Sequence, residues 1–273
     1  MDIYAQETTI RFADVDQSDT LTMASTFDLF QEAAINHAEI LGVGREAMKQ
    51  SGQVWILSRI SVFMERRPPF GEKVAIRTWP RGANKLFAIR DYDIRSSRVD
   101  VRGRSGWLVV DLERHRPLRP QTAMDNLPAN EGENALPGVN LQGNDPPPSL
   151  AVREFAPEQS VLRRVCYSDI DYNGHVNNTR YIQWIQDLIE PEILETAKQM
   201  RLDINYISEA RYGETIKLYI QPINKNDSPE NVLLRGQVPL PCKAAFAIEG
   251  RREAASSAEE TVTVFRAELQ TGK

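Results

Sequence analysis

Cysteine and histidine are scarce in this chain of 273 residues: two of the first (Cys166, Cys242) and three of the second (His37, His115, His175). Two cysteines make no disulfide framework, which suits a reducing compartment, and a cytoplasmic protein is expected. No histidine stands at metal-ligand spacing from a cysteine, so no metal is expected. Long apolar runs are missing too. Nothing approaches the roughly 18 apolar residues of a membrane span. The opening MDIYAQETTIRFADVD has neither a basic segment leading into an apolar run nor the Arg- and Ser-rich character of a transit peptide. A Gly-rich phosphate loop, a G-x-S-x-G elbow and a dinucleotide fingerprint are all lacking. The net charge of -5 argues against nucleic acid or an anionic membrane as partner.

What is present is ordinary for a globular protein, 41% hydrophobic and 26% charged. The positive charge is unevenly spread. From Arg59 to Arg119 there are fifteen Lys and Arg against seven acids. Such a stretch is either a solvated sheet face or a docking surface for an acidic partner.

The chain repeats itself weakly. Arg11-Phe12-Ala13-Asp14-Val15-Asp16 and Cys166-Tyr167-Ser168-Asp169-Ile170-Asp171 each precede a polar loop and then a helical pattern. Matching Phe27 to Tyr181 and Phe30 to Trp184 puts the helices one residue out of step with the aspartates, as though the loop had gained or lost one. In the first helix Phe27, Phe30, Ala34, His37 and Leu41 share a face. Ser25 with Asp28 forms its capping box and Gly42 its stop. The second runs from Asn178 to Ile189, capped by Asn177 or Asn178 and interrupted by Pro191. Strand patterns precede each helix (Thr8 to Phe12, Leu162 to Tyr167) and follow it. After the first helix come Trp55 to Met64, Lys73 to Trp79, Phe87 to Ile94 and Gly106 to Leu112. After the second come Leu202 to Ile207, Thr215 to Gln221, Val232 to Val238, Ala244 to Glu249 and Val262 to Glu268. Phe70-Gly71-Glu72 and Tyr212-Gly213-Glu214 mark equivalent junctions. Between the halves, Pro117 to Pro148 carries seven prolines without periodicity and reads as a partly extended linker. The expected organisation is α+β: two tandem units of hotdog type, each an antiparallel sheet wrapped around a long central helix, over residues 1–120 and 151–273, with a linker at 121–150.

The densest polar cluster is Ser168-Asp169-Ile170-Asp171-Tyr172-Asn173-Gly174-His175-Val176-Asn177-Asn178, between a strand and a helix start. Unpaired N–H groups at a helix start favour negative charge developing on a carbonyl oxygen. Asp171 offers an acceptor or base, Asn173 a group that orients a water or a carbonyl, and His175 a proton carrier near neutrality. The competing reading of each is structural: Asp and Asn are common turn and cap residues.

The string from Ser168 to Trp184 resembles the C-terminal motif of the acyl-acyl carrier protein (acyl-ACP) thioesterases of plants and bacteria. Trp55-Ile56-Leu57-Ser58-Arg59 and the Pro-Pro-Phe-Gly-Glu turn at 68–72 resemble their N-terminal half. The resemblance implies two hotdog halves, the first helping to form the acyl-chain pocket and the second catalytic. It implies hydrolysis of fatty acyl-ACP by Asp171, Asn173 and His175 together with Glu209, the glutamate of a strand after the catalytic helix. It implies no bound cofactor, since phosphopantetheine arrives on the carrier. The acidic carrier protein would dock on the Arg59–Arg119 stretch. Because two tandem halves already supply the pairing that single units obtain by dimerising, a monomer or weak homodimer is expected for this chain. The family's plant members have a cysteine directly after that glutamate. This chain has Ala210, so attack by water rather than a covalent Cys–His–Asn route is expected. Trp55, Phe27, Phe30 and Met23 line either an acyl tunnel or simply the core, and Asn178 is a further candidate substrate contact. The rival readings are an acyl-CoA thioesterase of the hotdog superfamily and a non-catalytic acyl-binding protein.

Overall fold

The computed structural model describes residues 3–124, 127–130, 135–136, 143–223, 242–253 and 261–272. The first half supplies β1 (Tyr4–Thr9), a single 3-10 turn (Phe12–Asp14), α1 (Met23–Ile40), α2 (Arg45–Gln50), β2 (Gln53–Met64), β3 (Lys73–Asn84), β4 (Phe87–Arg95), β5 (Val99–Asp111) and β6 (Arg116–Leu118), followed by α3 (Gln121–Met124). The second supplies β7 (Ser160–Arg164), a matching 3-10 turn (Tyr167–Asp169), α4 (Asn178–Asp187), α5 (Pro191–Glu195), β8 (Gln199–Tyr206), β9 (Thr215–Pro222), β10 (Cys242–Arg252) and β11 (Val262–Gly272). The expected strand over Val232 to Val238 lies outside the described residues.

The described strands join one antiparallel sheet in the order β1-β3-β4-β5-β2-β8-β11-β10-β9-β7, with β6 attached to β5. The halves meet where β2 pairs with β8, Met64 opposite Met200 and Ile60 opposite Ile204. Alternation along these strands sends Ile60, Val62 and Met64, with Met200, Leu202 and Ile204, into one continuous core. α1 and α4 pack against each other. Phe27 and Phe30 of α1 are 3% and 0% exposed. Phe30 stacks on Tyr92 of β4 with centroids 4.8 Å apart and presses on Gly103 of β5, where a Cβ would come within 2.6 Å of its ring. Burying such a side chain stabilises by about 1.5–3 kcal/mol. The architecture is thus α+β and of hotdog type.

Thr22, not Ser25, caps α1, accepting the Ser25 N–H at 3.0 Å. The helix starts early because Asp14 holds the Thr22 N–H through its carbonyl at 3.0 Å, which leaves the Ser-x-x-Asp pattern inside the first turn. Gly42, at φ 73°, ends α1 as the sequence predicts. In the second half Asp169 holds the Asn177 N–H in the same way at 2.8 Å, and Asn177 caps α4 by accepting the Thr179 N–H at 3.0 Å. Those paired bonds fix the repeat at a constant offset of 155, Asn177 on Thr22. Tyr181 therefore matches Thr26 and Trp184 matches Leu29, and no residue has been gained or lost. A one-residue slip is easy to make in sequence because both helices bury two adjacent positions, 26 with 27 and 181 with 182. α4 also stops at Asp187, short of Ile189, and Pro191 opens α5 instead of interrupting α4.

The proline-rich connection does not hang free. Its described residues are strapped to the outer face of the sheet. Ala135 donates its N–H to Asp91 at 3.0 Å, Arg81 reaches the Asn130 carbonyl at 2.6 Å, and Asn205 binds the Pro148 carbonyl at 2.9 Å and the Leu150 N–H at 2.8 Å. Beneath lies the Arg104–Asp91 pair, both side chains 0% exposed, with Arg104 also donating to the Gly143 carbonyl at 3.1 Å. Proline denies the segment its own ladder, so buried polar side chains of the sheet satisfy its carbonyls. Pro117 sits on the edge strand β6, opposite Val110. Among the described residues no helix is long and apolar enough to cross a membrane.

Candidate active site

β7 ends at Arg164, and the chain then turns through Tyr167–Asp169. That turn forms because the Asp169 carboxylate, 3% exposed, accepts the Cys166 N–H at 2.7 Å. A tight loop follows, closed by a bridge between Ile170 and Val176. The Asp171 N–H donates to the His175 carbonyl at 2.8 Å and the Gly174 N–H to the Asp171 carbonyl at 3.0 Å. Gly174 takes φ 79°, a conformation open to glycine and strained for most other residues. Asp171 accepts the Asn173 N–H at 2.8 Å and lies 3.5 Å from its carboxamide nitrogen. Here the pair makes an Asx turn that shapes the loop.

Val176 is buried and donates its N–H to the Ala210 carbonyl at 2.8 Å, which ties the loop to the connection after β8. His175, the residue before it, faces Glu209 across that junction. Its Nε2 stands 3.0 Å from Glu209 Oε2, with the His175 side chain 26% exposed and that of Glu209 54%. The sequence separates these groups by 34 positions, and the fold brings them into contact. Glu209 sits in the turn after β8 rather than on a strand, which lets its carboxylate turn toward the loop. Arg211 Nη2 is 3.9 Å from the same carboxylate oxygen. Ala210 is fully buried, and Cys166 is exposed and free. The Cys242 side chain lies outside the described residues.

Asn178 is the first residue of α4, and its carbonyl accepts the Tyr206 hydroxyl at 3.0 Å. Trp55, half-buried at the start of β2, donates its indole N–H to the Val43 carbonyl at 3.0 Å. Phe27, Phe30 and Met23 belong to the core already described. Three further residues neighbour the site. Arg45, the first residue of α2, lays its guanidinium 3.9 Å from the centre of the Tyr172 ring, so the first half touches the loop. Tyr181 and Tyr206 lie beneath it with rings 5.9 Å apart. Burial raises the pKa of both hydroxyls and keeps them neutral.

Much of the positive stretch from Arg59 to Arg119 is spent on internal pairing. Arg66 binds Glu72 and Asp100, Arg67 binds Asp16, Arg77 and Arg95 share Asp93, and Arg102 lies near Glu65. Lys85, Arg114 and Arg116 remain on the exposed surface. Among the described residues no cluster of three or more His, Cys, Asp or Glu is placed to hold a metal ion.

The sequence matches the family model described as the acyl-ACP thioesterase N-terminal domain over residues 1–124 and that of the acyl-ACP thioesterase C-terminal domain over residues 156–239. Similar proteins include a palmitoyl-acyl carrier protein thioesterase of Cuphea hookeriana, 23% identical over 218 residues that make up 76% of this chain and 52% of that protein. Another is oleoyl-acyl carrier protein thioesterase 1 of Arabidopsis thaliana, 24% identical over 226 residues, 78% of this chain and 62% of that one. The chain spans about half the length of the first of these relatives. Among solved structures, an acyl-ACP thioesterase from Bacteroides thetaiotaomicron has a similar fold with a TM-score of 0.74 at 22% identity, over 98% of this chain and 97% of that one. A 12:0-ACP thioesterase from Umbellularia californica gives a TM-score of 0.69 at 17% identity, over 98% and 93%.

Proposed function

The chain belongs to the acyl-ACP thioesterase family, and from that premise we propose that it hydrolyses the thioester of fatty acyl-ACP, releasing free fatty acid. The observation that carries the reading is the contact between His175 Nε2 and Glu209 Oε2, 3.0 Å, on a turn whose next residue, Ala210, is buried and bears no nucleophile. A water held at this pair loses a proton to it and attacks the thioester carbon. The C–S bond then breaks, and the proton passes to the departing thiolate. Asn173, with backbone N–H groups near the start of α4, steadies the carbonyl oxygen as it gains charge. Asp171 holds Asn173 in place through the turn they form. A thiolate leaves readily, so one acid–base pair suffices without a covalent intermediate.

The carrier protein is the proposed partner. Its acidic surface would meet the exposed cations Lys85, Arg114 and Arg116, with Arg45 and Arg211 beside the site. Phosphopantetheine would then reach the loop next to α4. The reducing cytoplasm fits a free, exposed Cys166. One chain already pairs its two halves, which supports a monomer or weak dimer.

The test is Glu209→Gln assayed on acyl-ACP with free thiol as the readout. Losing an acid–base group lowers kcat by about 10²–10⁴-fold. Wild-type kcat in this variant, or a trapped acyl group on Cys166, would end the reading. The ratio of kcat/KM on acyl-ACP to that on acyl-CoA separates the two thioester classes.

A further inference from the structure

The chain turns sharply just after Glu209. The Glu214 N–H donates to the Arg211 carbonyl at 3.1 Å, with Gly213 at φ 85°. The Gly213 N–H reaches the Val165 carbonyl at 3.1 Å, and the Glu214 carbonyl takes the Val165 N–H at 2.9 Å. Two side chains complete the turn. The Glu214 carboxylate accepts the Arg211 N–H at 2.8 Å. Arg252, at the end of β10 opposite Ile216 of β9, donates through Nη1 to Glu214 Oε1 at 3.2 Å and to the Glu209 carbonyl at 3.4 Å. The Ala210 carbonyl takes the Val176 N–H at 2.8 Å. A backbone group of each of residues 209, 210 and 211 is therefore held.

The first half builds the same turn without this clamp. Ile10 pairs with Gly71 and with Glu72, each at 2.9 Å, as Val165 does with Gly213 and Glu214. The Leu21 N–H donates to the Pro68 carbonyl at 2.8 Å, as Val176 does to Ala210. Pro68 and Pro69 thus stand in the places of Ala210 and Arg211, and Glu72 in that of Glu214. Proline fixes its own φ and has no N–H to offer. Glu72 accordingly turns to Arg66, whose Nη1 it accepts at 2.8 Å. One half stiffens the turn with two prolines. The half that carries the His175–Glu209 pair has neither, and holds the turn by side chains. Stability alone does not account for the clamp. Arg252 and Glu214 are 32% and 28% exposed, and an ion pair so open to water adds little to folding.

We infer that Glu214 and Arg252 are positioning residues for thioester hydrolysis: together they hold the backbone of residues 209 to 211 so that the Glu209 carboxylate meets His175. The inference rests on the hydrolytic reading above. Glu214→Leu removes both the acceptor for the Arg211 N–H and the partner of Arg252. The expected result is a fall in kcat of about ten- to a hundredfold, the scale of a small misplacement of a reacting group. KM for acyl-ACP stays within about twofold, because ground-state binding is untouched. The urea-unfolding midpoint hardly moves, as for any half-exposed pair. Glu214→Gln keeps an oxygen that can accept both bonds, and restores kcat to within about threefold of wild type. Arg252→Met lowers kcat by a second route. In a Glu209→Gln background Glu214→Leu costs nothing more, since the group it positions is already gone. Unchanged kcat in both Glu214→Leu and Arg252→Met overturns the inference. So does a loss carried by KM instead of kcat, a Glu214→Gln variant as slow as Glu214→Leu, or a loss that adds in full to that of Glu209→Gln. Wild-type kcat in Glu209→Gln alone would instead strike the hydrolytic reading itself.

Discussion

Arg67 occupies in the first half the place that Glu209 occupies in the second. The equivalence follows from the bonds made by the next residues, Pro68 to Leu21 and Ala210 to Val176. At the same places stand Asp16 for Asp171, Ser18 for Asn173 and Thr20 for His175. Arg67, with a side chain 4% exposed, fills what would be a second site. It binds the Asp16 carboxylate and reaches the Ser18 hydroxyl at 3.2 Å, the Leu21 carbonyl at 3.1 Å and, across the halves, the Leu194 carbonyl of α5 at 2.8 Å. In the first half this loop serves as a latch.

Removing that latch strands its partners. Arg67→Met leaves Asp16 and three backbone carbonyls (Thr20, Leu21 and Leu194) without the guanidinium, a loss on the order of 3 kcal/mol for a largely buried pair. Urea unfolding of the variant measures it. A loss below about 0.5 kcal/mol, the usual size for a surface substitution, would show that Arg67 does not bind the halves together.

The second cross-half contact lies nearer the chemistry. Arg45 of α2 stacks on Tyr172, between Asp171 and Asn173, at 3.9 Å. An exposed cation–π contact is worth about 0.5–1 kcal/mol, enough to alter how long the loop stays in one shape. Arg45→Ala is expected to reduce kcat/KM on acyl-ACP about two- to fivefold, and Tyr172→Leu by a similar factor. The double variant falls no further than the worse single one. Full additivity of the two losses would deny that they act through each other.

The candidate loop was legible in the sequence because it is contiguous. The polar string from Asp171 to His175 is visible as letters, and the strand–loop–helix order placed it. Glu209 came only through the family resemblance, since contact between residues 175 and 209 depends on how the turn after β8 folds. What the sequence hid is mostly cross-strand. Pairs such as Arg77–Asp93 and Arg104–Asp91 exist because of the β3–β4 and β4–β5 registers, so a charge count could not reveal that the positive stretch largely neutralises itself. The short helices α2 and α5 span too few residues to show a period, yet each adds a contact between the halves. The proline-rich stretch showed no period, which hid the short helix α3, and its docking depends on buried polar residues far away in sequence.

Ala210→Cys tests whether the missing sulfur matters. The side chain at 210 is fully buried, while Glu209 faces His175. A thiol there gains neither access to substrate nor contact with a base. Burial away from cations also raises a thiol's pKa. The expected outcome is no acyl-cysteine on rapid quench and a kcat no higher than wild type. Accumulation of an acyl-enzyme in this variant would mean that position 210 swings into the cleft.

The pH dependence of stability should centre on Arg66. Its guanidinium binds Asp100 at 2.7 Å and Glu72 at 2.8 Å. The hydrogen bonds from Arg66 hold the Glu72 carboxyl below the usual range. Burial pushes Asp100 up, but the hydrogen bonds from Arg66 and Ser96 outweigh it and leave that carboxyl depressed as well. A depressed carboxyl contributes stability above its unfolded value, near 4. That contribution fades as pH falls through the lower folded value. Arg66→Leu removes the main cause of the Glu72 shift and part of the cause of the Asp100 shift, leaving the Ser96 bonds. The variant should therefore be less stable than wild type by about 3 kcal/mol at pH 7, where both carboxylates lose their partner. The gap should narrow as the pH drops below about 4, where the unfolded chain takes up protons that the native wild-type site resists. Urea unfolding at pH 7 and again near pH 3 measures both. A gap of the same size at the two values would place the contribution of Arg66 in packing rather than in charge.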